Sequence, residues 1–156
     1  MKRGQAFETM MLVISVIVAL AILSILLNIL GGVNAGFGVG NPVSVIEEGL
    51  KNIQSKGYGI TTPKKATFER EQQILVGEVI RAIPVDASEV KFACKGTICG
   101  TDKINVEDSG ASFLSKARLE GFIVVCGDDT QTPKYCVGVG REAADAREAC
   151  TSTCHM

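Results

Sequence analysis

Between Met10 and Leu30 the chain carries no charged side chain, and its only polar residues there are Ser15, Ser24 and Asn28. Wound as a helix, these 21 residues would span roughly 31 Å, the thickness of a bilayer's hydrocarbon core. Lys2 and Arg3 precede the run, and no basic cluster directly follows it. The positive-inside rule then keeps the N-terminus in the cytoplasm and sends the remainder out. A removable secretory signal has an apolar region of only about 7–15 residues. Gly31-Gly32-Val33-Asn34-Ala35 is also a poor signal-peptidase match. The run is therefore expected to stay on the mature protein as a single-pass anchor.

The residues before the run are more specific. Lys2-Arg3-Gly4-Gln5-Ala6-Phe7-Glu8 is a short basic leader, a glycine, a glutamine and then an acidic residue. This resembles the class III signal peptide of archaeal type IV pilin-like proteins, over about the first 30 residues. The resemblance implies a leader of residues 1–4 that a prepilin peptidase removes by cutting between Gly4 and Gln5. It also implies a helix, residues 5–30, that lies in membrane lipid before assembly and in the filament core afterwards, packed with copies of itself or related subunits. The family's glutamate stands at the fifth mature position, whereas Glu8 would be the fourth. A carboxylate beside an apolar stretch is costly in lipid unless it is paired or interfacial. Glu8 is therefore expected either to meet the amine that a neighbour gains at Gln5 or to rest unpaired among headgroups. Ser15 and Ala19 form a small-xxx-small pair that permits close helix packing. Removing residues 1–4 takes away Lys2 and Arg3, leaving 14 basic against 17 acidic residues and a net charge of −3.

Residues 31–42, GGVNAGFGVGNP, read as a glycine-rich joint that ends the helix, or as an extended stretch packed in a filament wall. Residues 43–156 read as an extracellular cysteine-rich head. There, Ser44-Val45-Ile46-Glu47 has capping-box form, Ile46, Leu50 and Ile53 follow at helical spacing, and Gly57 is a stop. This predicts a helix over 44–56. Residues 58–65 read as loop, and Phe68 as part of a brief strand. Apolar residues at 75, 76, 79, 80 and 83 predict a second helix over 71–83, ended by Pro84. Strands are expected at 90–94, 104–106 and 121–126, the last with a hairpin partner at 135–139, and a helix over 142–154. The stretch 113–119 fits either helix or strand. The fold class is α+β: a long N-terminal apolar helix, then a small disulfide-rich antiparallel sheet with short helices.

All six cysteines lie in the head: Cys94, Cys99, Cys126, Cys136, Cys150 and Cys154. An even number in an exported domain reads as disulfides. Pairing of sequence neighbours is the simplest scheme: Cys94 with Cys99, Cys126 with Cys136 across the hairpin, and Cys150 with Cys154. The last two would lie roughly 6 Å apart on a helix, near the upper end of disulfide range. Either that turn is distorted or Cys150 and Cys154 pair elsewhere. The rival is a metal site of Cys150, Cys154 and His155, completed by Cys94 and Cys99. Against it, there is no C-x2-C pair, and the lone histidine is one residue from the C-terminus.

No cofactor is expected. Val137-Gly138-Val139-Gly140 and Gly36-x-Gly38-x-Gly40 lack the Gly-Lys-Ser/Thr of a phosphate loop. No Ser-His-Asp, Cys-His or thioredoxin-like C-x-x-C constellation exists, so the chain is not read as an enzyme. A net charge of −1 with no sustained basic run gives no reason to expect nucleic acid. Asp128-Asp129 falls in the hairpin turn, where aspartate is expected for backbone reasons. Three functional classes follow: a filament subunit processed after Gly4, a single-pass anchored extracellular binding module that does not polymerise, or, behind both, an anchored metalloprotein or enzyme.

Overall fold

The computed structural model describes the backbone of residues 2–33 and 40–156 and the side chains of residues 8–26 and 40–156. The chain divides into two compact units, Met1–Gly38 and Val39–Met156. The first contains α1 (Lys2–Val33). This helix passes through Gly31 and Gly32, so it outlasts the expected end at Leu30 by three residues. The rest of the expected joint, residues 34–39, lies outside the described residues.

The second unit opens with α2 (Pro42–Lys56). Its cap is Asn41, not the expected Ser44. The Asn41 carboxamide oxygen accepts from the Val43 N–H at 3.0 Å, and Pro42 takes the first helical position, where its missing N–H costs nothing. The Ser44 hydroxyl instead donates to the Asn41 carbonyl. Ile46, Leu50 and Ile53 are buried as the spacing requires. Gly57 ends the helix at φ 82°, a left-handed conformation in which a side chain would be strained, and its N–H bonds the Ile53 carbonyl.

The expected loop at 58–65 is mostly strand. β1 (Tyr58–Ile60) and β2 (Lys64–Phe68) both pair antiparallel with one long strand, and Thr61 bridges the break between them. The expected helix over 71–83 is a further correction. Its first part is β3 (Gln72–Leu75), and only α3 (Val76–Val79) is helical. Along β3 Gln72 is half-buried, Gln73 exposed, Ile74 buried and Leu75 exposed, which is the two-residue alternation of a strand. Ile74, absent from the helical reading, decides the matter.

A short 3-10 turn (Ala87–Glu89) leads into β4 (Val90–Lys95). β5 (Ile104–Val106) and β6 (Ser112–Ser115) follow, then β7 (Leu119–Asp128), β8 (Tyr135–Gly140) and α4 (Ala143–Cys154). The main sheet runs β1-β7-β8-β4, with β2 also on β7, and a second sheet runs β3-β6-β5. β7 and β8 form the expected antiparallel hairpin. β4 joins β8 in parallel, which makes the sheet mixed. The architecture is α+β, as expected.

The main sheet is buried on both faces. Ile123 and Val125 of β7 and Val137 and Val139 of β8 face the larger core with α2, Phe68, Phe92 and Phe113. Val124, Cys126 and Cys136 face α4 through Ala146, Cys150 and Cys154. That two-sided burial explains why 121–126 and 135–139 read as unbroken apolar runs rather than alternating ones.

Candidate functional site

Two features stand apart from ordinary core packing: the surface of α1 and the attachment of α4.

The segment Glu8–Leu26 of α1 is long and apolar enough to cross a membrane. Its large side chains are open on every side of the helix: Met10 is 66 % exposed, Ile17 60 % and Leu26 48 %. A soluble amphipathic helix hides one apolar stripe, whereas this one is apolar all round, which requires an apolar environment on all sides. The Ser15 hydroxyl donates to the Met11 carbonyl at 2.8 Å, so that polar group is satisfied within the helix. Glu8 is exposed at the N-terminal border of the segment. Gly4 and Gln5 lie in the helical backbone of α1; their side chains are outside the described residues.

In the second unit the structure brings four of the six cysteines together. Cys126 on β7 and Cys136 on β8 are register partners on the face turned to α4. Cys126 is bonded to Cys150 and Cys136 to Cys154, with Cα–Cα separations of 6.0 and 5.9 Å. Of the neighbour pairings, only Cys94–Cys99 is present. The reason for this pairing is geometric. Cys150 and Cys154 are one helical turn apart and point the same way, so the helix presents two sulfurs at the spacing of the two strand cysteines. All four are buried to within 1 %. The cysteines once considered with His155 as metal ligands are thus each committed to another sulfur. His155 closes α4 in a left-handed conformation, its N–H bonding the Thr151 carbonyl. Among the described residues, no group of three or more His, Cys, Asp or Glu side chains converges as a metal site would.

The bridges are one part of this attachment, and glycine is the other. A Cβ at Gly138 would lie 2.6 Å from the Cys150 nitrogen and closer still to the Ala146 carbonyl oxygen. β8 therefore gives α4 a groove in which backbone meets backbone. Val137-Gly138-Val139-Gly140 carried the signal, since glycine at alternate positions of a strand marks one face approached closely. The sequence places this string on the hairpin strand, and the alternation of its glycines is the part of the signal that points to α4.

The charged features of the second unit lie at or near the surface. Lys134 donates to Glu89 at 2.5 Å, which holds the Glu89 carboxyl below the usual carboxylate range and raises Lys134. Asp128 is lowered because the Thr130 hydroxyl and N–H both donate to it, the turn role expected of that aspartate. Burial pushes the Tyr135 phenol up. A cavity of about 90 Å³ between α2 and β7 is lined by Glu48, Asn52, Thr61 and Lys64 among others. That cavity is well below the roughly 300 Å³ at which small-molecule sites begin, whereas more open clefts of about 500 Å³ beside Asn41, Glu69 and Arg118 and about 450 Å³ beside Pro63, Arg147 and Glu148 exceed it.

No protein-family model, no curated protein and no solved structure matches this chain.

Proposed function

We propose that the protein is the structural subunit of a type IV pilus-like surface filament. A prepilin peptidase cuts after Gly4. Membrane lipid surrounds α1 until assembly, and then copies of the chain or related subunits take the place of lipid. The cysteine-rich head is carried on the outside. The observation that supports this reading is the Glu8–Leu26 surface, apolar and exposed all round. Lipid satisfies such a helix as a monomer, and a bundle of identical helices satisfies it as a polymer. The glycine–glutamine junction, of the kind found in archaeal pilin-like proteins, favours the polymer. Removal of Lys2 and Arg3 takes away the cytoplasmic charges that oppose extraction from the bilayer. Glu8, at the border of the apolar stretch, then has to be hydrogen-bonded or paired when helices pack.

The test is cross-linking in native membranes, combined with N-terminal sequencing of the purified protein. A filament subunit gives a ladder of its own multiples and a mature chain beginning at Gln5. A chain beginning at Met1 that never cross-links to itself overturns the proposal in favour of an anchored, non-polymerising binding module.

A further inference from the structure

Cleavage after Gly4 would leave an unusual terminus. α1 is helical from Lys2 onward, so the cut falls inside a helix and Gln5 becomes its first residue. The charge-free apolar run begins at Met10, five residues on, which is about 7.5 Å along the helix axis. The new α-ammonium would sit at the positive end of the helix dipole and at the edge of an apolar environment. Both placements disfavour a cation.

The residue exposed by the cut carries its own remedy. A glutamine with a free α-amine holds a nucleophile and an electrophile in one residue. We propose that Gln5 is a modification site: after cleavage its α-amine closes on its own side-chain amide to form a neutral five-membered lactam. In the step, the unprotonated α-nitrogen attacks Cδ and a new C–N bond forms. The Cδ–NH2 bond then breaks, and the amide nitrogen leaves as ammonia with the proton that the α-nitrogen gives up. Nothing is oxidised or reduced, and no co-reactant is consumed. Attack within one residue has the high effective concentration of intramolecular reactions.

The consequence reaches Glu8. With the ring closed, no neighbouring ammonium remains for Glu8 to pair with. Its carboxylate is left three residues from the terminus, the position from which a glutamate accepts from the unbonded N–H groups of its own first helical turn. The lactam N–H adds one more donor there.

This inference rests on processing after Gly4, and one experiment separates the two. Amines are labelled in freshly lysed cells before any purification, and the native full-length product is then analysed by mass spectrometry of its N-terminal peptide. The expected result is a peptide beginning at residue 5, unlabelled at its terminus and lighter by one ammonia. A Gln5→Asn variant, whose ring would be a strained four-membered one, is expected to take the label. A wild-type peptide beginning at residue 5 with a labelled or methylated amine overturns the lactam and leaves the filament reading standing. A peptide beginning at Met1 overturns both.

Discussion

Cys126 and Cys136 face each other across β7 and β8 in direct register, yet each is bonded to a cysteine of α4 and not to the other. The two bridges close segments separated by 24 and 18 residues, whereas Cys94–Cys99 closes one separated by 5. Loop entropy assigns roughly 3 kcal/mol to each long bridge taken alone and roughly 2 to the short one. The protein therefore places its stronger covalent constraints where the last helix meets the central hairpin.

Unreduced tryptic digestion checks the pairing. Cleavage at Arg118, Lys134, Arg141 and Arg147 puts Cys126 and Cys136 on separate peptides, with Cys150 and Cys154 together on a third. The expected product is one complex of three peptides, which reduction separates. Neighbour pairing would instead give a two-peptide complex and a single internally bridged peptide.

Gly138→Ala is expected to force α4 off β8, because the new methyl would overlap the Ala146 carbonyl and the Cys150 backbone. Overpacking of this kind costs about 1–3 kcal/mol. Gly77→Ala, in α3, meets nothing within 4 Å and removes a flexible helical residue, so it is expected to be neutral or stabilising by up to about 1 kcal/mol. Chemical denaturation of the full chain in detergent compares the two.

The Glu89–Lys134 pair predicts a stability window bounded by pH. Glu89 is lowered in the folded state, so its contribution is complete above the unfolded carboxylate value and is lost as pH falls through the folded value. Lys134 is raised, so its contribution is complete below the unfolded lysine value and is lost as pH rises through the folded one. Thermal midpoints of the parent should exceed those of Glu89→Gln near neutral pH, by a small margin because the pair is partly exposed. The two should converge at acid pH below the carboxylate range and again at strongly alkaline pH. A difference that stays constant across the whole range would show that the pair contributes nothing.

A charge placed midway along α1 tests what that helix needs. Ile17→Asp puts a carboxylate in the centre of the Glu8–Leu26 segment, at a cost of about 2.5–3.5 kcal/mol on insertion scales. Fractionation with alkaline carbonate extraction should move the variant out of the membrane pellet, while Ile17→Val should stay with it.

The membrane-length helix was legible because its signal is additive: one charge-free apolar run needs no partner to identify it. The β7–β8 hairpin was legible for a related reason, since two apolar runs flank a turn-forming Asp128-Asp129. The segment over 71–83 was not, because apolar residues at 75, 76, 79 and 80 suit a helix as well as a strand end followed by one helical turn. The burial of Ile74 against the larger core settles that choice. The start of α2 was misplaced for a subtler reason. Ser44 and Asn41 are both good caps, and Pro42, which suits the first helical position after Asn41, reads equally well as the end of the glycine-rich joint.

By itself, the sequence established an apolar segment that water cannot satisfy, an α+β head, six cysteines suited to cross-linking, and the strands on either side of the hairpin turn. Only the tertiary structure decided which cysteines join, that β4 lies parallel to β8, and that Gly138 makes room for α4. Apolarity and periodicity are local properties that each stretch carries alone. A disulfide or a close backbone approach depends on which stretches are brought together, and that depends on the whole chain packing at once.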